Sequence, residues 1–175
     1  VILEFGVPLD AVRHALGMAR RAGATTLVNP APAALVPEDF YSDVDVLVPN
    51  ELEAGQLCGL PLAGDGGLER AASWFHQRMA ACVVITLGER GAFVSDGGRR
   101  ALVPSRRVKV ADTTGAGDAF VGALACGLDE GRDVLAAAVF ANAAAALSVM
   151  RPGAAQSMPA RAEVDAFIRE ENARG

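Results

Sequence analysis

The sequence predicts an α/β domain built on a largely parallel central sheet with helices on both faces. Three observations predict it. Short apolar runs of strand type alternate with runs of helical period, beginning with Val1 to Phe5 and Pro8 to Ala22. Three turn-rich strings, starting at Asn29, Pro49 and Leu87, each follow a strand-like run directly. The 175 residues are 51% apolar and 21% charged, enough to bury a real core. Strands alternating with helices call for a parallel sheet joined by right-handed crossovers, read here as one domain over residues 1–175.

Val1 to Phe5 reads as a strand, and no turn precedes it, so the chain is expected to continue from something N-terminal. Pro8 to Ala22 reads as a helix, with Pro8 near its start and Gly23 just past its end. Thr25 to Val28 is a strand, followed by the turn Asn29-Pro30-Ala31-Pro32. Val44 to Val48 is a second buried strand and Asn50 to Leu57 a short helix. After a Gly64 to Gly67 loop comes a helix from Leu68 to Met79, with Leu68, Ala71, Ala72, Phe75 and Met79 on one face. Cys82 to Leu87 is a core strand. Gly91 to Ser95 and Arg100 to Val103 form a hairpin around Asp96-Gly97-Gly98. A glycine-rich loop and three helices complete the chain: Ala116 to Leu128, Asp133 to Val149 and Arg161 to Asn172.

A net charge of −5 leaves no footprint for nucleic acid. The arginine pairs at 20–21, 99–100 and 106–107 read as solvated element ends, and Lys109 is the one lysine. Phosphate binding would therefore come from backbone dipoles. Cys58, Cys82 and Cys126 follow no metal spacing and read as buried small residues in a reducing compartment, which points to the cytoplasm. His14 and His76 are isolated, so no zinc site is expected. Val134 to Met150 is apolar but short for a membrane span, and a buried helix is expected.

The stretch Asp112-Thr113-Thr114-Gly115-Ala116-Gly117-Asp118 carries the chemistry. Its glycines let the backbone approach a ligand. The helix that follows turns its open N–H groups into the loop, making an anion site. A carboxylate beside a phosphate repels it, so Asp118 makes little sense as a binding group. It makes sense as the base that takes a proton from a hydroxyl attacking that phosphate. The plainer reading is a capped helix, with Thr113 or Thr114 as cap and Asp118 favouring the helix dipole.

The strings NPAP (from Asn29), VPNELEA (from Val48), ITLGERGAF (from Ile85), DTTGAGDAF (from Asp112) and ANAAAAL (from Ala141) occur in this order. Together they resemble the ribokinase-like, or PfkB, carbohydrate kinase family, and its ribokinase branch most closely. The resemblance runs from Pro8 to about Phe167. It implies a ribokinase-like three-layer α/β/α sandwich whose N-terminal part, with the sugar-binding glycine pair and the β-sheet lid, is missing. It implies an ATP-dependent kinase that transfers the γ-phosphoryl group of Mg·ATP to a sugar hydroxyl. Gly115, Ala116 and Gly117 would form the anion hole and Asp118 would be the base. Asn50 and Glu53 would position magnesium and phosphate, or simply form a helix cap. Thr86, Gly88 and Gly91 would line the nucleotide, or be an ordinary turn. Asn142 would lie near the adenine, or be a hydrogen-bonded core residue. A potassium-like cation would take oxygens from Asp112, Thr114, Ser148, Arg151, Gly153 and Ser157, several through carbonyls.

One departure bears on the acceptor. Ribose-taking members commonly end the first strand in Gln-Leu-Glu, and the aligned residues here are Glu4-Phe5-Gly6. Glu4, two residues earlier on the same strand face, could partly substitute. Two other readings remain open: a non-catalytic nucleotide-binding module, and a nucleoside or sugar-phosphate kinase of the same fold. The expected partners are a small sugar and ATP, with no nucleic acid and no membrane. A homodimer is expected only for a longer form, because family dimers form through the lid.

Overall fold

Strands β1 (Ile2–Glu4), β2 (Leu27–Asn29), β3 (Val46–Leu47) and β4 (Cys82–Thr86) lie side by side and parallel. Strands β5 (Ala92–Ser95) and β6 (Arg100–Val103) complete a six-stranded sheet of order β1-β2-β3-β4-β5-β6. The helices are α1 (Leu9–Arg21), α2 (Glu51–Cys58), α3 (Gly67–Gln77), α4 (Ala116–Asp129), α5 (Val134–Ser148) and α6 (Arg161–Asn172). This computed structural model describes residues 1–78 and 80–173. The chain forms two compact units, Val1–Leu87 with Phe93–Ala101, and Gly88–Ala92 with the residues from Leu102 onward.

The first unit holds the parallel strands. Val83, Val84 and Ile85 of β4 are fully buried. A strand covered on both faces reads as a continuous apolar run, which is why this one was legible. On α1, Val12, Leu16 and Ala19 are buried at helical spacing, and Gly23 ends the helix at φ 68°. Strand β2 starts later than expected because Thr26 donates its N–H to the Asp45 carboxylate at 2.7 Å. The Asp45 N–H returns a bond to the Thr26 hydroxyl at 2.9 Å, locking the start of the β2–β3 register. A 3-10 helix at Glu38–Asp43 was not expected. It buries Phe40 and Tyr41, and Tyr41 meets Phe75 edge-on with centroids 5.5 Å apart. On α3, Ala71, Ala72 and Phe75 are buried as predicted, while the expected Met79 position lies outside the described residues.

The second unit is helical. Phe140, Ala143 and Ala144 of α5 join Val164 of α6 in its core, with Phe167 and Ile168 packed against them. A Cβ on Gly127 of α4 would come within 3.1 Å of the Ala137 Cβ, so small residues let α4 and α5 pack closely. Asp133 caps α5 by accepting the Ala136 N–H at 2.8 Å. Cys126 is exposed, not buried as its composition implied. The buried face of α4 runs through Phe120, Leu124 and Gly127, and residue 126 sits about 100° to 160° around the helix from each of them. Among the described residues, no helix is long and apolar enough to cross a membrane.

Candidate functional site

In the second unit, α4 follows directly on Gly115, whose φ of 77° is left-handed. No side chain caps it, so neither Thr113 nor Thr114 plays that part. The Ala116 N–H goes to the Thr113 carbonyl at 3.2 Å and the Ala119 N–H to the Gly115 carbonyl at 2.9 Å. The N–H groups of Gly115, Gly117 and Asp118 find no acceptor among the described residues. Of the Gly115-Ala116-Gly117 set named from sequence, Gly115 and Gly117 have open N–H groups and the Ala116 N–H is engaged with the Thr113 carbonyl. A Cβ at Gly117 would meet nothing within 4 Å, so the space beside that residue is open. Asp118 is exposed, and its side chain makes no hydrogen bond or ion pair among the described residues.

The loop before α4 is held by Asp112. One carboxylate oxygen accepts the Thr114 N–H at 2.9 Å and the Thr114 hydroxyl at 2.7 Å. The other accepts the Gly153 N–H at 2.9 Å. The Gly153 N–H, the Thr114 hydroxyl and the Thr114 N–H, in that order, hold the Asp112 carboxyl down to about 2. Ser148 and Ser157 are fully buried, and their hydroxyls donate to the carbonyls of Ala145 at 2.8 Å and Ala154 at 2.7 Å. Arg151 pairs with Glu163. Asp112, Thr114 and Gly153 thus come together, while the Ser148, Ser157 and Arg151 side chains are engaged elsewhere.

Gly88 and Gly91 also belong to this unit, at φ 59° and 97°. A Cβ on Gly91 would run into the backbone of Val103, Pro104 and Ser105, so this glycine is required by close approach. Asn142 is 4% exposed within α5, and its amide donates to the carbonyls of Val103 at 3.0 Å and Pro104 at 3.3 Å. Its amide N–H donors are spent inside the protein, as a core Asn requires.

In the first unit, Asn50, Glu53 and Thr86 gather at the carboxyl ends of β3 and β4, where Asn50 pairs with Thr86 in a parallel bridge. Ligands of parallel α/β sheets bind beyond these ends. Asn50 and Glu53 form a reciprocal capping box, with both bonds at 2.8 Å. Burial pushes the Glu53 carboxyl up, partly offset by the Asn50 N–H. The cap reading is therefore fulfilled, and the second Glu53 oxygen remains outside it. Asn50→Ala is expected to cost about 1 kcal/mol of stability through the lost cap. Urea denaturation checks this, and an unchanged midpoint would show that the box contributes nothing.

At the end of β1, Glu4 stands in register with Asn29 of β2. A Cβ placed on Gly6 would lie 2.7 Å from a Glu4 carboxylate oxygen, so that carboxylate fills the place of a side chain at position 6. The Asp112–Gly153 bond could not be foreseen from sequence, since residues 41 apart carry no local signal of pairing.

An open helix N-terminus with an exposed, unpartnered carboxylate beside it is an arrangement able to meet an anionic group. The chain belongs to the pfkB family of carbohydrate kinases: the family model "pfkB family carbohydrate kinase" matches residues 2–161. It is 37% identical to a ribokinase of Haemophilus influenzae over 168 residues, 96% of this chain and 55% of that protein. A ribokinase structure from Thermotoga maritima superposes with a TM-score of 0.85 at 35% identity, covering 96% of this chain and 56% of that one. An Arabidopsis thaliana ribokinase, solved with ribose and ATP, superposes with a TM-score of 0.92 at 28% identity, covering 97% and 55%. The expected ribokinase-like α/β class with a mostly parallel sheet is the one found. The chain spans about half the length of the curated relatives it matches.

Proposed function

We propose that this chain is the nucleotide-binding part of an ATP-dependent carbohydrate kinase, transferring the γ-phosphoryl group of Mg·ATP to a sugar hydroxyl. The observation that carries the reading is the uncapped start of α4, with open N–H donors beside the unpartnered Asp118. Those donors stabilise charge on the phosphoryl group in transfer. The acceptor oxygen forms its bond to the γ-phosphorus as the bond to ADP breaks, and Asp118 takes the hydroxyl proton.

Thr86, Gly88 and Gly91 line the nucleotide in this reading, and Asn142 supports the 103–104 turn near it. The Glu53 oxygen left outside the cap suits a magnesium ion reached through water. Carbonyl-rich positions at Asp112, Thr114, Ser148, Arg151, Gly153 and Ser157 suit a potassium-like cation. Turnover is expected to be faster in potassium than in sodium at equal ionic strength, and equal rates would remove the cation from the proposal. Cytoplasmic residence, residues 1–175 acting as one domain, and a homodimer of a longer form belong to the same reading.

The deciding experiment supplies labelled Mg·ATP with pentoses, hexoses, nucleosides and sugar phosphates. Label on a free sugar supports the proposal. Label only on nucleosides or sugar phosphates moves the acceptor class, and nucleotide binding without any transfer leaves a binding module. The same panel reads the acceptor preference that goes with Glu4 in place of a side chain at Gly6.

A further inference from the structure

The outer side of α3 carries a cleft of its own. Ala71, Ala72 and Phe75 turn into the core, which leaves Glu69, Arg70, Ser73 and Trp74 on the other side of the helix. With Leu60 and Arg100 they line a cavity of about 410 Å³, inside the roughly 300–1,000 Å³ range of small-molecule sites. All of these residues belong to the first unit. The groups around the cavity are already held. Arg100 donates to the Ser73 hydroxyl at 3.1 Å and Arg70 to the Asp65 carbonyl at 2.9 Å. Trp74 is fixed by Phe75 edge-on, with centroids 5.1 Å apart, and by the Arg78 guanidinium 3.7 Å from its ring centroid. Arg78 pairs with Glu38, but neither Arg70 nor Arg100 has a carboxylate partner among the described residues. Glu69 has no partner among them either. The cavity therefore sets two guanidinium groups against one carboxylate, beside the apolar surface of Leu60 and Trp74.

We propose that this cavity binds a small organic anion, its carboxylate or phosphate held by Arg70 and Arg100 and its apolar body laid against Leu60 and Trp74. A guanidinium fork matches the oxygens of either group. The indole supplies a flat apolar area for the rest of the ligand. Because the side chains are ordered before the ligand arrives, little side-chain entropy is lost on binding. The site needs no phosphoryl transfer, so it stands or falls independently of the kinase reading.

Trp74 is the one tryptophan of the chain, so its emission reports on this cavity directly. The probes are phenyl phosphate and phenylacetate, with benzyl alcohol for the apolar body alone and inorganic phosphate for the charge alone. A saturable change in Trp74 emission is expected with at least one of the two organic anions, and the tighter of them assigns the headgroup. Arg100→Gln and Arg70→Gln should each weaken that binding by about tenfold, the worth of one hydrogen bond to a charged group. Arg100→Lys keeps the charge but loses the fork, and should fall between the parent and Arg100→Gln, which guards against a misfolded Gln variant. Glu69→Gln should tighten binding, since it removes a repelling charge. No saturable response to either organic anion overturns the proposal. So does equal affinity in the parent and both Gln variants, or weaker binding by Glu69→Gln. Benzyl alcohol bound as tightly as the anions would show a merely apolar groove, and inorganic phosphate bound as tightly would show that the apolar wall holds nothing. Either result overturns the proposal as well.

Discussion

Asp118→Asn is expected to lower turnover by roughly 10²- to 10⁴-fold, the range over which a positioned general base contributes. Nucleotide affinity should stay near that of the parent. The local structure makes this a clean substitution. The Asp118 side chain is exposed and holds no hydrogen bond or ion pair among the described residues, so its amide counterpart leaves nothing unsatisfied. It also stays in the first turn of α4, where the open donors remain. Steady-state kinetics on the parent and the variant, with calorimetric titration of Mg·ATP and Mg·ADP, check both halves. Parent-like turnover in the variant would remove Asp118 from the chemistry. Lost nucleotide binding would mean that the carboxylate shapes the anion site instead of accepting a proton.

The largest stability effect is expected at Gly91. Its φ of 97° lies where a side chain is strained, at about 1–2 kcal/mol. The added methyl would also enter space held by backbone atoms of Val103, Pro104 and Ser105, which cannot swing away as a side chain can. Overpacking of this kind costs about 1–3 kcal/mol. Gly91→Ala should therefore lose about 2–5 kcal/mol. Gly131→Ala is the matched control: its φ is 80°, yet a Cβ there meets nothing within 4 Å. That variant should lose only about 1–2 kcal/mol. Urea midpoints of the two decide the matter. A Gly91→Ala midpoint at or above that of Gly131→Ala would show that the 103–105 backbone yields, and that the close approach is not a constraint.

Much of the frame was legible because its signals are local. Strand β4 announced itself as an apolar run, α1 by its helical period between Pro8 and Gly23, and the β5–β6 hairpin by Asp96-Gly97-Gly98. Asp96 accepts the N–H groups of Gly98 and Arg99 at 3.1 and 2.7 Å, which is why that tripeptide turns. The capping box of Asn50 and Glu53 was equally local. Less legible were features set by distant partners. Strand β3 has only two residues where five were expected, although Val44 and Val48 are both buried. The 3-10 helix at Glu38–Asp43 lacks a period of its own and is held by what Phe40 and Tyr41 touch. The exposure of Cys126 follows from which side of α4 meets α5, and composition carries no such direction.

By itself, the sequence determined the α/β class, the order of the elements and the family, because period, turn residues and motif strings are properties of neighbouring residues. It also marked Asp118 and the glycines before it. Only the tertiary structure decided which N–H groups stay open, where the Asn142 amide donors go, and that Asp112 ties its turn to Gly153. Each of these depends on a hydrogen bond, made or missing, between groups that folding brings together, and a donor's partner far along the chain leaves no trace in the residues beside it.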